Sequence, residues 1–205
     1  MNQITLKNAI IRDIHYSHTL RETEYNKANV LVKRDDGKED ILPLLFKKYS
    51  NPYQENDQID LVGNVRSFSK KLDNGKNSVE LYVFTYFDTP ENKVEEDGIG
   101  NNEVIIDGRI CKINPLKMVS QDKPYIHFIL ANNIIVTHSS QKISSYIPTV
   151  AWGNLATMLA DVPVSTQLSI EGELQSREYK KKLSETEFEI RIARELVVKS
   201  FSILD

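Results

Sequence analysis

The feature that most constrains this chain is its resemblance to itself. The stretch 58–72, QIDLVGNVRSFSKKL, lines up with 167–183, QLSIEGELQSREYKKKL. In each, apolar side chains alternate, a glycine interrupts the apolar face, and an aromatic residue adjoins a lysine run. Ile41–Phe46 resembles Ile147–Trp152, and Asn2–Asn8 resembles Asn102–Gly108. Matches in the same order imply a unit of about 90–100 residues present twice. A chain of 205 residues has room for two such units. Residues 88–102 hold five acidic side chains and one basic one, with proline and glycine and no apolar periodicity, the composition of a linker. The expected organisation is an N-terminal unit over 1–87, an acidic linker over 88–102 and a C-terminal unit over 103–205.

Each unit reads as strands. In the second, Val104–Cys111, Tyr125–Val136, Ser144–Trp152, Gln167–Tyr179 and Phe188–Phe201 are rich in Ile, Val, Tyr and Phe. Period two predicts Leu168, Ile170, Gly172 and Leu174 on the inner face of the fourth strand. Gly172 permits the sharp coil of a small barrel. Between the third and fourth strands, Leu155, Met158 and Leu159 recur at helical spacing on the stretch Gly153–Ala160. Five strands with a helix between the third and fourth form the OB arrangement, a small Greek-key barrel. The first unit repeats it with strands over Ala28–Lys33, Glu39–Phe46, Gln58–Ser69 and Ser78–Phe87. Turns fall at Asp35-Asp36-Gly37 and Asp73-Asn74-Gly75. Its helix is weak, because Pro52 interrupts Lys47–Asn51. The fold class is therefore all-β, two tandem five-stranded OB barrels.

The sequence disfavours several functions. No phosphate-binding Gly-x-x-x-x-Gly-Lys loop is present, and Gly98-Ile-Gly100 falls in the linker without a strand–helix context. His15 and His18 have a metal-like spacing but no second ligand pair, and His127 and His138 are isolated. Cys111, the single cysteine, reads as a buried small apolar residue and cannot form an internal disulfide, which fits a reducing, cytoplasmic compartment. Residues 1–7 lack a signal-peptide core, and no apolar run reaches the roughly 18–20 residues that cross a membrane. No cofactor, metal or catalytic constellation is expected, and the chain does not read as an enzyme. The net charge of −3 is concentrated in the linker, so the two units are close to neutral.

Residues 102–204 resemble the bacterial single-stranded DNA-binding proteins. The resemblance rests on Asn102–Ile110 followed by Pro115, on Phe128–Ala131, on Ile147–Ala156 (IPTVAWGNLA) and on Ile170–Tyr179 (IEGELQSREY). An aromatic residue closing the third strand before Gly-x-Leu-Ala, and Glu-Gly-x-Leu-x-x-Arg followed by an aromatic residue, are its most specific parts. The first half matches only through the internal similarity. The resemblance implies single-stranded DNA as partner, with roles in replication, recombination, repair or DNA transfer. Family members with one barrel per chain form tetramers, so two barrels per chain imply a homodimer with the same four. The family's acidic, phenylalanine-bearing tail has no counterpart in Ser200–Asp205, which reads as the end of the last strand. This leaves an OB adaptor working through protein contacts, or an RNA-binding module, as alternatives. One family stacking position, late in the second strand, falls near Ile135–Val136.

Binding single strands without sequence preference takes aromatic faces for bases and cations for phosphates. In the second unit the resemblance puts Trp152, Tyr146 and Tyr179 at stacking positions. Tyr146 and Trp152 differ by an even number and share one face of a regular strand. Arg177, Lys180, Lys181 and Lys182 would meet phosphates from the hairpin of strands four and five, joined by Arg109 and Lys112. The first-unit equivalents are Phe46, Phe68, Arg66, Lys47, Lys48, Lys70 and Lys71. Tyr82 and Tyr86 on the fifth strand are read as outward-facing, core or interface residues.

Overall fold

Alternation of apolar residues builds this molecule almost entirely from strands. The computed structural model describes residues 1–34, 36–48, 53–71, 77–85, 101–120, 122–136, 141–184 and 187–204. The strands are β1 (Asn2–Leu20), β2 (Thr23–Lys33), β3 (Glu39–Lys47), β4 (Gln58–Lys71), β5 (Asn77–Phe84), β6 (Asn101–Ile113), β7 (Lys117–Met118), β8 (Pro124–Val136), β9 (Gln141–Trp152), β10 (Gln167–Lys182) and β11 (Phe188–Leu204), with one helix, α1 (Asn154–Ala160). Residues 88–100 of the expected linker lie outside the described residues, as do Asp35, the turn at 73–75, Tyr86, Phe87 and His138. Asn101 and Asn102 already belong to β6.

The hydrogen bonding closes two OB barrels with one connectivity. β1 pairs with β2 and β4, β2 with β3, β3 with β5 in parallel, and β5 with β4. β6 pairs with β8 and β10, β8 with β9, β9 with β11 in parallel, and β11 with β10. Leu168, Ile170 and Leu174 are fully buried, as the period-two reading predicts. Glycine is needed opposite the last strand of each barrel. A Cβ on Gly63 would sit 2.6 Å from the Phe84 carbonyl oxygen, and one on Gly172 would collide with that of Val197.

The barrels join through β1 and β6, which run antiparallel about the pair Ile4↔Val104. An asparagine anchors each of these strands. The Asn2 side chain donates to the Val65 carbonyl (2.8 Å) and accepts from its N–H (2.9 Å). The Asn102 side chain does the same with Leu174, at 2.6 and 3.1 Å. Two further seams differ. At one, the Tyr146 N–H donates to Ser67 Oγ (2.7 Å) and the Ser67 N–H to Ser145 Oγ (3.4 Å). At the other, the buried Asp40 carboxylate accepts from the Ser176 N–H (2.6 Å) and faces Arg34 Nε at 3.2 Å. There the Ile41 N–H donates to Ser176 Oγ (2.8 Å), and Arg194 Nε donates to the Ile41 carbonyl (2.8 Å). Burial raises the Asp40 carboxyl above the ordinary range, against the pull of Ser176 and Arg34.

Three sequence expectations are corrected. β1 continues far beyond Asn8 to Leu20 and turns into β2 through Arg21 (φ 47°) and Glu22 (φ 66°). Two consecutive positive φ values define a tight hairpin turn that usually carries Asn or Gly, so Arg-Glu conceals it. Cys111 is exposed, because it is the extra residue of a bulge between Ile110 and Lys112 and has no partner position on β8. In α1, Ala156 and Leu159 are buried and Leu155 packs against the core, whereas Met158 points to solvent. For the weak first-unit helix, residues 49–52 lie outside the described residues.

Candidate nucleic-acid interface

Side chains that alternate inward on β8 and β9 leave Tyr125, His127, Tyr146 and Trp152 on the outer face of the second barrel. Trp152 ends β9 because Gly153 follows at φ 60°, a left-handed conformation natural to glycine. The Gly153 N–H donates to the Pro124 carbonyl (2.9 Å), tying this corner to the start of β8. Trp152 thus lies across from Tyr125, with ring centroids 5.1 Å apart and planes inclined 29°. Lys123 Nζ stands 5.2 Å from the Trp152 centroid, within cation–π range. Lys117 pairs with Tyr125 from β7, so Lys117, Tyr125 and Trp152 form one cross-strand row. Trp152 keeps 39% of its surface exposed.

The β10–β11 hairpin carries a second cluster. Tyr179 is 37% exposed, and the Arg177 guanidinium lies 5.9 Å from its ring centroid. Arg177 also donates to Glu195 through Nε (3.3 Å) and Nη2 (3.5 Å). Alternation puts Arg177, Tyr179 and Lys181 on one face of β10. Lys180 and Lys182 occupy the other, across from Ile190 and Phe188. The lysine run is therefore split between two faces. Tyr146, 45% exposed, stands at the seam beside Ser67. Arg109 is exposed but donates to the Ser165 carbonyl (3.0 Å), while Lys112 is exposed near His127.

The first barrel's equivalent face is filled from within. Phe46, expected as a stacking platform, is 2% exposed and sets its ring edge against Tyr53 at 5.1 Å. The reason is register. Leu44↔Val83 in the first barrel corresponds to Thr149↔Leu196 in the second, so Lys47, not Phe46, stands where Trp152 does. The sequence match of Ile41 with Ile147 is one residue out, and a one-residue slip exchanges the faces of a strand. Arg66, expected to meet phosphate, is buried with its guanidinium 4.2 Å above the Phe84 ring. Burial lowers its pKa and raises that of the neighbouring Tyr82. Tyr25 continues this stack, 6.2 Å from Phe84 and 5.0 Å from His18. Lys27 pairs with Glu80 and Lys48 with Glu24, each at 2.8 Å. Lys47 is half-buried opposite Tyr25, Lys71 is exposed, and the Lys70 side chain lies outside the described residues, as do those of Ile135 and Val136. Among the described residues, Phe68 alone of the first-barrel aromatic candidates is open, at 59%.

Sequence reasoning missed Tyr125, Lys117, Lys123, His127 and Glu195. An aromatic residue at a strand start was the only signal for Tyr125, and only cross-strand register shows that it meets Trp152. Among the described residues no three His, Cys, Asp or Glu side chains form a metal-binding group, and no helix is long and apolar enough to cross a membrane.

Comparison with known proteins follows the same division. No curated protein matches the chain. The single-strand binding protein family matches residues 101–202. Two crystal structures of the single-stranded DNA binding protein from Thermus aquaticus share the fold over 100% of this chain. The wild-type structure is 15% identical, with TM-score 0.73 and 93% of its own chain covered. A deletion mutant is 16% identical, with TM-score 0.71 and 94% covered. The match to the single-strand binding protein family thus falls on the second barrel, residues 101–202.

Proposed function

We propose that this protein coats single-stranded DNA with little sequence preference and without catalysis, chiefly through the outer face of the second barrel. The observation that carries this reading is the row Lys117, Tyr125 and Trp152 with Lys123 above the indole. It combines an open ring face for a base with cations for the adjoining phosphates, and a ring face accepts any base. Tyr179 with Arg177 would engage a second base and phosphate, and Tyr146 would guide the strand toward the seam. Phe68 and Lys71 are the first barrel's contribution. The cellular setting we propose is replication, recombination, repair or DNA transfer, with two chains pairing to give four barrels.

The test is titration of labelled oligo-dT by anisotropy at several salt concentrations. Binding should weaken as salt rises, with a slope of about −0.7 in log K against log salt for each phosphate neutralised. Duplex DNA should compete poorly, and RNA of equal length reports the DNA preference. Absence of salt-sensitive binding would favour an adaptor acting on proteins. Mass measurement in solution checks the pairing, and a monomer at working concentration would exclude the four-barrel assembly.

A further inference from the structure

One carboxylate, Glu195, connects the strands that carry the two aromatic clusters of the second barrel. Glu195 sits on β11, mostly buried, and accepts both hydrogen bonds from Arg177 of β10. His127 of β8 approaches it from the other side, with Nε2 3.9 Å from the carboxylate. The remaining groups around His127 are Lys112 on β6, Lys117 on β7, Val150 across on β9 and the Asn114 side chain, 3.3 Å from Nδ1. Apart from Glu195, the charged groups here are cationic. Arg177 thus offers Glu195 two donors, the fork arrangement that also suits a phosphate.

We propose that His127 and Arg177 form a phosphate-binding site that Glu195 fills in the free protein and yields when a nucleic-acid strand spans Trp152 and Tyr179. The proposal rests on the reading of this face as the single-strand interface. Two consequences separate it from that reading. Glu195 competes with the ligand, so removing its charge strengthens binding. Burial holds His127 below the ordinary imidazole range even beside Glu195, and a phosphate approaching closer than that 3.9 Å contact would favour its protonated form. Affinity therefore rises as pH falls, by up to about tenfold per pH unit for one proton taken up.

The experiment is oligo-dT titration from about pH 8 to about pH 5, a span around the ordinary histidine value, with wild type, Glu195→Gln, His127→Gln and Glu187→Gln. Glu187→Gln removes an equal charge from the exposed tip of the same hairpin. Glu195→Gln should bind roughly threefold to tenfold tighter at the upper pH, with a salt slope steeper by about 0.7. Glu187→Gln should gain much less. His127→Gln should bind as wild type does at the upper pH and lose the acid-side increase. Equal gains for Glu187→Gln and Glu195→Gln, or an unchanged pH profile in His127→Gln, would overturn the proposal while leaving the interface intact. A wild-type protein that binds no oligonucleotide would sink the interface itself.

Discussion

The two barrels share a connectivity, an asparagine anchor and a strand-closing glycine, yet present opposite outer faces. In the second, the exposed Trp152 stacks on Tyr125 with Lys117 and Lys123 beside them. In the first, the corresponding pair is Lys47 and Tyr25, and the stack runs inward through Phe84 to the buried Arg66. Its cations Lys27 and Lys48 are committed to carboxylates. The lesson is that one fold can carry an exposed aromatic pair or an inward-running one, and the residue at one register position of the third strand contributes to the difference. The first barrel is joined to the second through β1–β6 and the Asp40–Ser176 seam.

Phe46 and Trp152 give the sharpest way to break this contrast. Phe46→Ala should cost about 3–5 kcal/mol of stability in denaturant melts, the usual range for a buried phenylalanine, and leave the affinity of the folded fraction unchanged. A large affinity loss without destabilisation would return Phe46 to the interface. Trp152→Ala should do the reverse, losing about 1–3 kcal/mol of oligo-dT affinity, the worth of one stacked base, with little change in the melt. Lys47→Trp installs the missing indole opposite Tyr25. It should gain at most about 1 kcal/mol and produce a second quenchable tryptophan, since stacking needs the neighbouring cations too. A tryptophan that remains unquenched at saturation would show that the face is closed by more than this residue.

The smallest effect concerns the Asp40–Ser176 seam. Asp40 has its carboxyl raised by burial, so the folded state binds that proton more tightly than the unfolded one. The stability contribution of the protonated form is complete below the ordinary carboxylate value and is lost as pH rises through the raised one. Asp40→Asn should flatten the pH dependence of stability across that window, measured by denaturant melts. An unchanged profile would remove Asp40 from the account of the seam.

Much of the fold was legible because period-two patterning is local. The inner face Leu168, Ile170 and Leu174 follows from it directly, as the helix after Gly153 follows from the equally local spacing of Leu155 and Leu159. What stayed hidden depends on distant partners. Phe46 was misread because sequence similarity cannot resolve a one-residue register, which parallel pairing with β5 decides. Cys111 is outward through a bulge, and β1 runs on to Leu20 and enters β2 through a turn without its usual residues. Asp40 meets Ser176 across 136 positions of chain, and no periodicity announces that contact. For the site, Trp152, Tyr146, Tyr179 and Phe68 are exposed where the sequence led us to look for open rings. Tyr125, Lys117 and Lys123 needed the cross-strand row, and Glu195 needed the hairpin register.

The most direct measurement uses the chain's single tryptophan. Intrinsic fluorescence followed during oligo-dT addition reports Trp152 alone. A strand stacked on Trp152 gives deep, saturable quenching that reverses when salt is raised. Tight oligonucleotide binding that leaves this emission untouched would place the strand elsewhere on the molecule and contradict the central role given to the second barrel's open face.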